Sequence, residues 1–137
     1  MVLLICGWGF GTEMQQAYYD EYKNNIPQVD ILFQPHHGRK SGAVPNDLLE
    51  ALNPKLIIIG NAPSEHIDYG DSRQTITQNA AGDIRFENDG KEVHIYTKNK
   101  INNKPTCLKA KQGKGNITRT VYGFSIVDWY YAGTLVV

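Results

Sequence analysis

Leu56-Ile57-Ile58-Ile59 is an unbroken apolar run, and it has two counterparts earlier in the chain, Val2 to Cys6 and Ile31-Leu32-Phe33. A strand with one wet face alternates apolar with polar residues. A run without alternation belongs to a strand covered on both faces, as in parallel sheets that sit between other layers. A helical pattern separates the first two runs. Thr12 can cap it, Gln15 completes a capping box, and Met14, Ala17, Tyr18 and Tyr22 share one face. Asn24-Asn25-Ile26-Pro27 ends that helix. Between the second and third runs lie a polar loop, His36 to Val44, and a short helix from Asn46 to Leu52. Leu48, Leu49 and Leu52 of that helix face the core, and Asn53-Pro54 stops it. Strands alternating with helices predict an α/β protein.

Beyond the third run, a loop from Gly60 to Ser72 leads to a helix expected around Arg73 to Asn79. Asp83–Glu87 and Glu92–Thr97 then form a hairpin through Asn88-Asp89-Gly90. Alternation in its second strand turns Val93 and Ile95 inward and makes His94 a surface residue. Lys98 to Gly115 is rich in Lys, Asn and Gly and reads as a long loop. Ile117–Val127 and Trp129–Val137 read as two further strands.

The 137 residues suffice for one domain with a real core. No run approaches the roughly twenty apolar residues of a membrane span. The opening apolar stretch is too short, and lacks the basic leader, for a signal peptide, so a cytoplasmic protein is expected. Cys6 and Cys107 form no spaced pair. Free thiols are the expectation for a cytosolic chain, with a single disulfide as the alternative.

Net charge is zero but polarised. Residues 1–97 hold seven Lys/Arg against thirteen Asp/Glu, a balance of −6, and residues 98–137 hold seven against one, a balance of +6. Such asymmetry marks either a basic surface for nucleic acid or a segment that packs on its own acidic body. The basic side chains Lys109, Lys111, Lys114 and Arg119, with Tyr122, Phe124, Trp129, Tyr130 and Tyr131, have the composition of a single-strand binding surface. Core aromatics in an ordinary hairpin account for the same residues.

Two stretches carry candidate chemistry. Gly7-Trp8-Gly9-Phe10-Gly11 lies between a strand and a helix, where glycines can admit a pyrophosphate. Its third glycine position is occupied by Thr12, Asp30 opens the next strand rather than closing it, and Trp8 and Phe10 are bulky. A tight turn is the better reading. Pro35-His36-His37-Gly38 directly follows a buried strand, where sites collect in layered α/β folds. Neutral imidazole suits zinc, manganese or iron, and adjacent residues seldom both ligate one ion. Ser41, Ser64, Ser72 and Ser125 lie in no nucleophile-elbow context.

The order of these pieces resembles the C-terminal half of metallo-β-lactamase-fold hydrolases. It runs from an apolar strand, glycine turn and helix through Asp30-Ile31-Leu32-Phe33-Gln34-Pro35-His36-His37-Gly38 and the leucine-rich helix ending at Asn53-Pro54. The run Leu56–Ile59, Tyr69-Gly70 and the Asn-Asp-Gly hairpin complete it. The branch it is most similar to contains the soluble domain of the bacterial DNA-uptake competence channel. The resemblance covers Val2 to Thr97 and implies half of an αββα sandwich: a mixed sheet with helices on one face. Residues 98–137 add a basic β extension within a single domain. It also implies a divalent metal, zinc or manganese, held by His37 or His36, with Asp71 or Asp68 as weaker candidates. His66, in the Gly60–Ser72 loop beside Glu65 and Asp68, is a supporting candidate from its position, with a solvent-facing loop histidine as the commoner reading. Trp8 stands where the family has its bridging aspartate. Asp71 replaces a frequent histidine, Arg39 replaces serine, and the HxHxDH half is absent, so the chain reads as a truncated domain. Two functions follow: a metal-dependent hydrolase of phosphodiesters or similar bonds, or a non-catalytic remnant that binds protein or nucleic acid. The sheet face left open by the missing half must be covered by strands from residues 117–137 or by a second chain, and a homodimer or partner-bound state is expected.

Overall fold

The computed structural model describes residues 11–63 and 74–137, together with the backbone of 3–5. The first sheet contains β1 (Leu3–Ile5), β2 (Ile31–Phe33), β3 (Leu56–Ile59) and β4 (Thr75–Thr77), in that spatial order and all parallel. Each strand lies beside its predecessor, and the helices that connect β1 to β2 and β2 to β3, α1 (Thr12–Tyr22) and α2 (Asn46–Leu52), cover one face. Leu32, pointing to the helices, packs with Val29, Val44, Leu48 and Leu52. Ile57 and Ile59 point the same way, against Ala62 and Leu49.

The other face is closed by a second, antiparallel sheet. It contains β5 (Ile84–Asn88), β6 (Glu92–Thr97), β7 (Ile117–Val121) and β8 (Phe124–Val136), in the order β5-β6-β8-β7. Ile31, Leu56, Ile58 and Ile76 of the first sheet form one core with Val93, Ile95, Ala132 and Leu135 of the second. Phe33 and Phe86 meet across the layers with ring centroids 5.9 Å apart. Fully burying each of these aliphatic side chains contributes about 1.5–3 kcal/mol. The result is an α/β/β stack of one parallel and one antiparallel sheet, instead of a single mixed sheet. The C-terminal residues are integral to this core and are not an appendage. They lie over the sheet face that was expected to be covered by residues 117–137 or by a second chain.

Four local expectations change. Thr12 and Gln15 do not form a capping box: Thr12 Oγ1 donates to Ala43 O at 2.9 Å and Gln15 Nε2 to Gly42 O at 3.0 Å. The helix starts after Gly11 with no side-chain cap. Those two tethers, with Tyr19 packing beside Leu32, rotate α1 so that Met14, Tyr18 and Tyr22 face outward, 45–56% exposed. Where a helix was expected around Arg73 to Asn79, Thr75–Thr77 is a strand and only Gln78–Ala81 is helical (α3). The β-branched Ile76 is needed as the core plug beside Ile58. Finally, the C-terminal hairpin turns at Tyr122-Gly123, both at positive φ, so β8 runs unbroken through Asp128. Its first half pairs with β7 and its second half with β6.

Candidate functional site

The His36–His37 loop leaves the carboxyl end of β2. Gln34 N donates to Ile58 O at 3.0 Å, which seats the loop against β3. Both histidines are left-handed, at φ 50, ψ 42 and φ 54, ψ 30, and Gly38 follows at φ 71. An L-residue pays roughly 1–2 kcal/mol in this region, and two in succession persist only where surrounding structure holds them. Close packing does so here. A Cβ on Gly42 would lie 2.8 Å from His36 Cβ, and one on Gly60 would lie 2.6 Å from His37 Nδ1. His36 Nδ1 is 3.0 Å from Ser41 Oγ, and Arg39 N donates to His36 O at 3.0 Å. His36 is half-buried and His37 exposed. Beside them Arg39 has a buried Nε with no hydrogen-bond partner among the described residues. The expected supporting residues Asp71, His66 and Asp68, like Trp8 and most of the glycine turn, lie outside the described residues.

A second cluster lies on the far side of the molecule's core, on the outer face of the antiparallel sheet. Strand alternation does turn His94 away from the core, as expected, yet His94 is only 6% exposed and is not a surface residue. The β5–β6 turn and the segment around Lys111 cover it. Its Nδ1 lies 2.9 Å from Thr134 Oγ1, which also meets the Tyr131 hydroxyl. Its Nε2 lies 3.6 Å from Asp89 Oδ2. Asp89 Oδ1 accepts the backbone N–H of Lys91 at 2.9 Å and of Glu92 at 2.8 Å, and these bonds hold its carboxyl below the usual carboxylate range. Lys111 Nζ donates to Glu92 Oε1 at 2.9 Å, an interaction that raises the lysine above its ordinary value. One ligand atom from each of Asp89, Glu92 and His94 lies within 4.8 Å of the others. One imidazole and two carboxylates form a donor set that zinc or manganese accepts. A hydroxyl on Nδ1 is the kind of outer contact that aims Nε2 at an ion. The sequence signal is the spacing Asp89, Glu92, His94, which puts the last two on one face of a strand. Reading that face as solvent concealed it.

The four basic residues expected for nucleic acid, Lys109, Lys111, Lys114 and Arg119, are all exposed. Lys111 and Lys114 border the His94 cleft, Lys111 already paired with Glu92. Lys109 joins the edge of β8 through backbone bonds with Thr134. Arg119 lies on β7, its Nε 3.6 Å from Asp128. Among the described residues no helix is long and apolar enough to cross a membrane. No family model matches this chain, and neither a curated protein nor a solved structure matches it.

Proposed function

We propose that the chain has a metal-dependent hydrolase scaffold of metallo-β-lactamase type, with its working edge at the His36–His37 loop. The observation that carries this reading is the paired left-handed histidine backbone at the carboxyl end of β2, because conformational strain of this kind concentrates at functional sites. In parallel α/β layers the carboxyl ends of the strands are also where ligands bind. Two imidazoles fall short of the three protein donors a catalytic zinc takes, so a working centre there needs at least one further donor. His36 is held through Nδ1 by Ser41, and His37 is exposed. Metal bound there would acidify a water. Arg39, half-buried beside the histidines, supplies a positive charge that suits an anionic substrate such as a phosphodiester.

A second reading places the ion on Asp89, Glu92 and His94, favoured by their mutual distances. One experiment separates the two: zinc and manganese per chain in the wild type and in His36→Ala, His37→Ala and His94→Ala, with bis(p-nitrophenyl) phosphate hydrolysis measured alongside. Loss of metal and of hydrolysis with His37→Ala or His36→Ala supports the hydrolase scaffold. Loss of metal with His94→Ala alone moves the ion to the antiparallel sheet. Metal-free protein without hydrolysis after loading overturns both.

A further inference from the structure

Two adjoining clefts run along the side of the molecule where the segment after β6 crosses between the sheets. The larger, ≈ 330 Å³, opens between β4 and the loop, with Thr77, Lys100, Asn102 and Asn103 on its walls. The smaller, ≈ 140 Å³, shares Lys100 and Ile101 with it and continues past Lys104 and Asn116 to Tyr130 and Tyr131. Lys100 and Lys104 pair with no carboxylate among the described residues. Lys104 Nζ donates one hydrogen bond, to Tyr131 O at 3.1 Å, leaving two of its three donors. No acidic residue occurs between Lys98 and Val127.

Past the smaller cleft, β7 and the first half of β8 form a two-stranded ribbon. Its tip residue Tyr122 is 97% exposed and Phe124 is 73% exposed. At the ribbon's base Lys98 Nζ and the Arg85 guanidinium lie 5.0 and 5.9 Å from the centre of the Trp129 ring. Basic and aromatic side chains thus occur both at the clefts and at the ribbon, where Asp128 pairs with Lys98 and Arg119.

From this arrangement we infer that the Lys100–Lys104 groove and the β7–β8 ribbon bind single-stranded nucleic acid. Phosphates lie against Lys100 and Lys104, and bases stack on Tyr130 and the ribbon aromatics. The two clefts are walled in part by Thr and Asn hydrogen-bonding groups, which suits sugars and bases better than lipid chains. Aromatic faces can take only unstacked bases, which points to a single strand and not a duplex. The inference is independent of the hydrolase reading and uses other lysines than charge pattern alone singled out.

The test is fluorescence anisotropy with a labelled oligothymidylate of about twelve nucleotides, across a salt series. Wild type should bind, with affinity falling linearly in log–log against salt. Lys100→Ala/Lys104→Ala should reduce that slope by about 1.4, at roughly 0.7 per lost phosphate contact. Tyr130→Leu should weaken binding roughly tenfold while Tyr130→Phe retains it, with circular dichroism confirming that each variant is folded. His36→Ala and His37→Ala should bind like wild type, so failure of the hydrolase reading leaves this one standing. Binding that is absent, that is unchanged in the lysine variant, or that is tighter to phosphatidylserine vesicles than to the oligonucleotide overturns it.

Discussion

Replacing His37 by alanine in one variant and by glycine in another isolates the backbone cost of the histidine loop. Both substitutions remove the imidazole and every contact it makes, so their difference reports the left-handed conformation at φ 54, ψ 30 set against the unfolded-chain entropy of glycine. Alanine keeps a cost of roughly 1–2 kcal/mol there and glycine does not. Glycine gives back about 0.4–1 kcal/mol through the entropy of the unfolded chain. The glycine variant should therefore be more stable by about 0.5–1 kcal/mol, the reverse of the order at ordinary positions. For a chain of this length that is a difference of about 2–5 °C in Tm. The same comparison at His36, φ 50 and ψ 42, should give the same sign. Urea titrations with equal m-values, supported by thermal melts, provide the measurement. An alanine variant as stable as the glycine variant at both positions would refute the claim that strain is stored in this loop, and would remove the main support for its functional role.

Other consequences are simpler to check. The Asp89 carboxyl, depressed by two backbone N–H donors, stabilises the fold above its usual 3.8, and that contribution is lost as pH falls through its lower folded value. Asp89→Asn should thus melt below wild type at neutral pH, with the gap closing in acid; a gap independent of pH would contradict the assigned hydrogen bonds. Gly133→Ala should cost about 1–3 kcal/mol, because its Cβ would lie 2.7 Å from Leu108 Cβ at a φ of 142. An unchanged urea midpoint would show that the loop does not press on β8. Burial pushes the Cys107 thiol up, against a smaller opposing effect of Lys109. In a Cys6→Ser background a disulfide reagent should therefore react more slowly with the folded than with the urea-unfolded chain, and equal rates would rule that burial out.

The parallel layer was legible because its strands are covered on both sides, so Ile31–Phe33 and Leu56–Ile59 carry no polar residue to obscure them. The Asn88-Asp89-Gly90 turn was legible for its chemistry, with Gly90 at φ 93. What failed was inference about which surface an exposed-looking pattern would meet. Tyr18 and Tyr22 satisfy helical periodicity, yet two side-chain tethers to Gly42 and Ala43 aim the helix elsewhere. His94 obeys strand alternation, yet a loop seventeen or more residues on covers its face. Thr75–Thr77 is too short to show a period of its own and takes its conformation from the neighbouring β3. The pairing of His36 and His37 was visible as a motif, whereas their left-handed backbone depends on glycines at 42 and 60 that only the fold brings near.

The sharing of β8 between β6 and β7 also dictates an order of assembly. The parallel strands and the β5–β6 hairpin can each form from nearby residues, but β6 must wait for a partner about forty residues later. Until those residues emerge during synthesis, Val93 and Ile95 have no β8 flanking them, and Ala132 and Leu135 are missing from the layer over Ile31 and Ile58. Completion is therefore a late, single docking event of the last strand. Before it, the nascent chain displays an unpaired strand edge beside an apolar layer, the combination that recruits chaperones or other nascent chains.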